Sequence, residues 1–64
     1  MIPKANVKQV VIEDCNKRRW VVYGKDEIGM SHQRKIYKSY NPALAHASML
    51  MGYYQVGNIT EVTR

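Results

Sequence analysis

The chain has 64 residues, of which ten are lysine or arginine and five are aspartate or glutamate, so its net charge is +5. A chain of this length forms one domain, residues 1–64, whose hydrophobic core is only just large enough for stability. It leaves no room for a catalytic cleft between lobes or for a large buried cofactor. The basic excess favours an acidic protein surface or a nucleic acid as the partner.

The cysteine content and the distribution of charge indicate where the protein acts. The only cysteine, Cys15, has no partner for an internal disulfide, which is typical of a reducing compartment. The chain shows no leader-like pattern, and its charge-free segment, residues 40–57, is interrupted by Pro42 and polar residues. One cysteine and two distant histidines lack metal-ligand spacing. We therefore expect a cytoplasmic protein without membrane contact, metal or cofactor.

The first half of the chain predicts a β-hairpin. Val7–Cys15 is rich in β-branched residues, and Arg18–Gly24 ("RRWVVYG") gives the strongest strand pattern in the sequence. Alternation in the second strand directs Trp20 and Val22 towards the core. We expect Trp20 to be buried beneath the helix and to anchor the core. The residues expected on the opposite face are Arg19, Val21 and Tyr23.

A second turn and a third strand are expected next. The segment "KDEIGMS", Lys25–Ser31, contains acidic residues and a glycine and is typical of a hairpin loop. His32–Tyr40 then predicts a strand with Arg34, Ile36 and Lys38 on one face and Lys35 and Tyr37 on the other. Its polarity favours an edge position, because charge protects sheet edges from unwanted pairing.

The last third of the chain predicts a helix and a short strand. Asn41 is a good N-cap and Pro42 suits the first helical position, so we expect a helix from Pro42 to about Tyr54. The segment "NITEVTR", Asn58–Arg64, predicts a closing strand. The order β-β-β-α-β indicates an α+β domain in which one helix packs on one face of a small antiparallel sheet.

The predicted helix contains no lysine, arginine, aspartate or glutamate. Its apolar positions form a face that can close over the sheet. The residues on or beside that face are Ala43, Leu44, Ala47, Leu50, Met51 and Tyr54. A second stripe, His46, Met49 and Tyr53, is expected to face solvent. This stripe is either harmless exposed surface or a contact for a partner, which includes a second copy of the chain.

The basic residues fall into two groups that antiparallel pairing would bring towards one edge of the sheet. A basic surface with interleaved aromatic rings can hold phosphates and stack bases. A solvated charged edge that prevents aggregation is the alternative, and the pattern alone does not separate the two. The residues of this predicted basic edge are Lys17, Arg18, Arg19, Arg34, Lys35 and Lys38, with Tyr23 and Tyr37 between them.

A short histidine-containing segment permits one catalytic hypothesis. "GMSHQR", Gly29–Arg34, resembles the glycine, serine and histidine stretch of HicA-type toxin ribonucleases, in which the histidine serves cleavage. The resemblance implies a catalytic role for His32. Those toxins begin with a helix, whereas this chain begins with a strand pattern. A histidine also needs a positioned partner and a substrate pocket for acid-base chemistry. We therefore expect an exposed loop histidine and no catalytic residue.

A wider resemblance covers about two thirds of the chain. "RRWVV", "KIYKSYNPALAHASML" and "ITEVTR" are similar to the small host RNA polymerase inhibitor of T7-like phages, in which a tryptophan-bearing strand, an alanine-rich helix and a closing strand follow one another. The resemblance implies a phage-encoded inhibitor of a host machine. That family has an acidic surface, whereas this chain is basic, so the contact surface need not carry over.

These patterns together predict a small basic binding protein without enzymatic activity. The preferred partner is an acidic surface of a host nucleic-acid-handling machine such as RNA polymerase. Direct binding of DNA or RNA by the basic edge is the alternative, and a small ribonuclease toxin is a third, more distant one.

Overall fold

The computed structural model describes residues 6–15 and 18–63. They form four strands and one helix in the predicted order β-β-β-α-β, which confirms the α+β class. The elements are β1 (Val7–Cys15), β2 (Arg19–Asp26), β3 (Ser31–Tyr37), α1 (Tyr40–Tyr54) and β4 (Ile59–Thr63). Lys17, which belongs to the predicted basic edge, lies outside the described residues.

The four strands form one mixed sheet in the order β3-β2-β1-β4. β1 and β3 each pair with β2 in antiparallel orientation, whereas β4 pairs with β1 in parallel orientation. The prediction of a purely antiparallel sheet is therefore wrong. The reason is the connection through α1, because a helix that carries the chain back along the sheet makes the next strand run in the direction of the previous one.

The strand boundaries agree with the sequence prediction at β1 and shift by a few residues elsewhere. β2 continues to Asp26, two residues into the predicted loop, and β3 ends at Tyr37 instead of Tyr40. β3 lies at the edge of the sheet, as its polarity predicted. The two apolar strands, β1 and β2, occupy the centre, where both of their edges are paired.

The core lies between α1 and the two central strands. Val10, Ile12 and Val22 contribute from the sheet. Ala43, Ala47 and Leu50 contribute from the helix and are fully buried, and Leu44, Met51 and Tyr54 pack around them. This confirms the predicted inward face of the helix. The two alanines have short side chains, so the helix backbone can approach the sheet closely there, and Leu50 fills the space beyond them.

Trp20 is not the buried anchor that the sequence predicted. It is half-buried and packs against the edge of the core, with its ring 6.4 Å from the ring of Tyr40 at an angle of 66°. Trp20 lies near the start of β2 and pairs with Tyr37, beside the first turn of α1, so the helix covers only part of its ring. The largest fully buried side chains are instead aliphatic, namely Ile12, Leu50, Val10 and Val22.

The helix begins two residues earlier than predicted. Ser39 is the N-cap and makes no side-chain capping bond, so Asn41 and Pro42 lie inside the first turn. Proline is tolerated there because the first amide groups of a helix have no intrahelical partner. At the other end Gln55 adopts a left-handed conformation with φ of 59°, and the Val56 amide donates to the Met51 carbonyl over 3.0 Å.

Replacing Leu50 with alanine tests the position of the core. We expect Leu50→Ala to lower the free energy of unfolding by about 2–5 kcal/mol, because it leaves a cavity under the helix. The neighbouring Met49 is 53% exposed, so Met49→Ala should change the free energy by no more than about 0.5 kcal/mol. Urea unfolding followed by circular dichroism measures both values. Equal effects of the two substitutions would contradict this position of the core.

Candidate functional site

The sheet has one face against α1 and a second face over which no helix or strand of residues 6–15 and 18–63 lies. We call this second face the open face. Because Val10, Ile12 and Val22 point towards the helix, the alternating residues of the same strands point the other way. Cross-strand pairing aligns the open-face residues in two central rows. One row contains Ile36, Val21, Glu13 and Val62, and the other contains Tyr23, Val11 and Thr60.

The open face combines apolar and basic groups. Val11 and Val21 are buried at its centre, although no described helix lies over them, and Ile36 and Val62 at its two sides are 47% and 41% exposed. Arg19, next to Cys15 in the register, extends the face towards the first hairpin. An apolar centre with charged groups around it is the arrangement found in protein interfaces.

A β-bulge in β3 determines which side chain joins this face. Two residues of β2, Val22 and Gly24, pair with Lys35 and His32, so two residues of β3 stand opposite Tyr23. The extra residue is Gln33, which has a φ of 54°, unusual for a residue with a side chain. Its amide Nε2 donates to the Tyr54 hydroxyl over 2.9 Å. Arg34 stands beside Tyr23 on the open face, and the bulge places Ser31 on the same face and His32 on the helix side.

A cleft of about 290 Å³ opens at this point of the open face. Its walls come from the end of β2, from the start of β3, from the loop between these strands and from β1. The lining residues are Glu13, Tyr23, Lys25, Gly29, Ser31 and Arg34. Two cations and one carboxylate thus border a small, mainly polar space, which can hold an anionic group of limited size.

The loop between β2 and β3 is held by one aspartate. Asp26 Oδ1 accepts hydrogen bonds from the amides of Ile28 (3.1 Å) and Met30 (2.8 Å), and Asp26 Oδ2 lies 2.7 Å from His32 Nε2. Gly29 adopts a φ of 90°, which glycine permits without strain. The loop displays two apolar side chains, because Ile28 is 78% and Met30 59% exposed. The sequence analysis did not identify these two residues, although an isoleucine between turn residues was a visible signal.

The predicted basic edge is divided between the two faces of the sheet. Arg19, Tyr23 and Arg34 share the open face, whereas Lys35 and Tyr37 lie on the helix side. The Lys35 ammonium lies 5.8 Å from the centre of the Tyr37 ring. Arg18 and Lys38 are exposed beside the ends of β2 and β3. Lys25 was absent from the predicted set and lines the cleft.

The predicted helix stripe is also divided. Met49 and Tyr53 are exposed as expected. The expectation for His46 is wrong, because its Nδ1 lies 2.7 Å from the Tyr37 hydroxyl and the ring is half-buried between α1 and β3. The other ring nitrogen of His46, Nε2, is buried without a hydrogen-bond partner among the described residues. His46 therefore joins the helix to the edge strand.

His32 lies in β3 and is half-buried, so it is not the exposed loop histidine that the sequence indicated. Its hydrogen bond holds the pKa of Asp26 below the ordinary carboxyl value, and the amides of Met30 and Ile28 lower that pKa further. Asp26 is the positioned partner that the sequence did not reveal. The pair serves the hairpin loop in this structure, and a ribonuclease role stays a prediction.

The described part of the chain lacks both a metal-binding cluster and a membrane-spanning helix. Residues 6–15 and 18–63 contain no group of three or more histidine, cysteine, aspartate or glutamate side chains placed to hold a metal ion. Within the same ranges, no helix has the length and apolar character required to span a membrane.

Comparison with known proteins gives no relative. No protein-family model, curated protein or solved structure matches the chain at a significant level. The open face, the cleft and the hairpin loop are therefore the structural features that bear on function.

The hydrogen bonds of Asp26 predict how the stability of the protein depends on pH. Because the folded-state pKa of Asp26 lies below the ordinary value of 3.8, its ionised form stabilises the fold above that value, and this contribution is lost as the pH falls through the folded-state pKa. Asp26→Asn keeps one oxygen for the loop amides but removes the charge. We expect its melting temperature to be lower at neutral pH and to fall less than that of the wild type between about pH 5 and about pH 2. If the melting temperatures of Asp26→Asn and the wild type fell by the same amount between these pH values, the charge of Asp26 would not stabilise the fold.

The contact between Tyr37 and His46 can be tested by a double-mutant cycle. Tyr37→Phe removes the partner of His46 Nδ1, and we expect a loss of about 1–3 kcal/mol in the free energy of unfolding. The double substitution Tyr37→Phe with His46→Leu removes the polar pair and should recover part of the lost free energy of unfolding. If the changes in free energy of unfolding caused by the two single substitutions add up to that of the double substitution in urea unfolding, the two side chains are not coupled.

Proposed function

We propose that this chain is a phage-encoded, cytoplasmic binding protein without enzymatic activity. It docks on RNA polymerase or another nucleic-acid-handling machine of the host through the open face of its sheet and thereby changes the activity of that machine. The observation that carries the proposal is the open face. Ile36 and Val62 are exposed at its two sides, Val11 and Val21 are buried at its centre beside the carboxylate of Glu13, and the basic residues stand at the margin.

The composition of the open face favours a protein as the docking partner. Exposed apolar side chains contribute affinity when a partner covers them, and the surrounding charges contribute orientation and association rate. Arg19 and Arg34 stand near the two ends of the face, and the chain carries a net charge of +5. An acidic surface with an apolar centre is the complementary partner.

The hairpin loop supports the same conclusion. Ile28 and Met30 project from a loop whose backbone is already held by Asp26, so little conformational entropy is lost when a partner covers them. Gly29 of the same loop borders the open face. The loop and the face can therefore contact one partner together. The choice of RNA polymerase as the target class comes from the sequence resemblance to the phage inhibitor.

Binding and transcription measurements with purified bacterial RNA polymerase test this proposal. We expect the wild-type protein to bind the polymerase and to reduce transcript yield. Ile36→Asp should weaken binding at least about tenfold, because it places an unpaired carboxylate in the contact. Surface plasmon resonance measures the affinity, and transcript yield measures the inhibition.

Met49→Asp is the matched control, because Met49 is 53% and Ile36 47% exposed and both changes add one negative charge. The control lies on the helix stripe and should bind like the wild type, and the melting temperatures show that both variants fold. If Met49→Asp lost binding and Ile36→Asp did not, the contact would lie on the helix and not on the open face. A wild-type protein that does not bind the polymerase would refute this target.

A further inference from the structure

The cleft beside Tyr23 combines groups that protein docking, which uses Arg34 only as a marginal charge, does not require together. It is a recess of about 290 Å³, which is at the small end of ligand-binding pockets and suits a group of about one nucleotide. We propose that this cleft binds the phosphate backbone of single-stranded nucleic acid, with Arg34 and Lys25 on the phosphates and the Tyr23 ring beneath a base. This inference goes beyond the docking function and does not depend on it.

Charge is the first argument for a phosphate. Arg34 and Lys25 both line the cleft and are both exposed. Within residues 6–15 and 18–63, the structure shows neither of them in an ion pair. An arginine fork can bind a phosphate through two parallel hydrogen bonds, and a lysine supplies a point charge.

The spacing of these groups fits a strand that crosses the ends of β2 and β3. Lys25 pairs directly with Ser31, and Arg34 stands beside Tyr23, two residues along β2 from Lys25. Two residues of a strand span about 7 Å, so the two cations can contact successive parts of one flexible backbone. The Ser31 hydroxyl borders the cleft between them and can donate a further hydrogen bond to a phosphate oxygen.

The bulge is the second, independent argument. Without the extra residue, Arg34 would still stand opposite Tyr23, but alternation along β3 would turn Ser31 towards the helix and His32 towards the open face. The bulge holds Gln33 at a φ of 54°, a conformation that side chains rarely adopt. Bulges often occur where a strand must direct one side chain into a site. Here the redirected side chain is Ser31, which lines the cleft on the same face as Arg34 and Lys25.

The other two walls favour a single strand over a duplex. Tyr23 offers an aromatic ring, and a ring can stack on a base only when that base is not already stacked inside a double helix. Glu13 lines the cleft from β1. A carboxylate can accept hydrogen bonds from a sugar hydroxyl or a base amino group, which a single strand exposes.

Fluorescence anisotropy with the purified full-length chain and a fluorescein-labelled oligothymidylate tests the proposal. Arg34→Glu should weaken binding at least about tenfold and reduce the slope of log affinity against log salt by about 0.7. Lys35→Glu is the matched control, because it makes the same change of charge at the next residue but on the helix side of the sheet. We expect it to weaken binding less than about threefold, in keeping with loss of general attraction alone.

Tyr23→Leu separates stacking from charge. It should weaken binding about tenfold and leave the salt slope unchanged, because no phosphate contact is lost. If this variant does not fold, the comparison of Arg34→Glu with Lys35→Glu decides alone, since both positions are exposed.

Three results would overturn the proposal. Equal weakening by Arg34→Glu and Lys35→Glu would assign binding to net charge, and tighter binding of a duplex than of the single strand would exclude the stacking geometry. No binding at low salt would exclude the site altogether. Because this assay contains no polymerase and the surface plasmon resonance measurement of docking contains no nucleic acid, the failure of one proposal does not affect the other.

Discussion

One helix can cover only one face of a four-stranded sheet, and the other properties of this protein depend on that constraint. The helix has 15 residues and is therefore about 22 Å long. Ala43 and Ala47 permit close approach to the sheet, and Leu50 completes the core beneath the helix. No second helix among the described residues lies on the opposite side, where Ile36 and Val62 are exposed.

The centre of the sheet and its β3 edge differ in character. The path through α1 carries the chain from β3 at one edge to β4 at the other, so the apolar strands β1 and β2 lie in the centre. β3 contributes little to the core and can therefore be polar and irregular. Its bulge, Arg34 and the hairpin loop before it all lie at this edge. The irregular backbone is thus separated from the strands that stabilise the fold.

Local patterns were sufficient to predict the elements, the inward helix face and the edge position of β3. They were not sufficient for features that arise when distant segments meet. The parallel pairing of β4, the half-exposed position of Trp20 and the contact of His46 with Tyr37 all depend on how α1 crosses the sheet. The bulge at Gln33 has no glycine to mark it. The candidate cleft was missed because Lys25 and Ser31 come together with Arg34 only through that register.

Methyl NMR spectra of the labelled protein, recorded with and without purified RNA polymerase, show directly whether the open face is the contact surface. We expect the methyl signals of Val21, Ile36 and Val62 to shift or broaden on addition of the polymerase, while that of Met49 on the helix stripe stays in place. The opposite pattern, with Met49 perturbed and the three open-face methyl groups unchanged, would contradict this expectation.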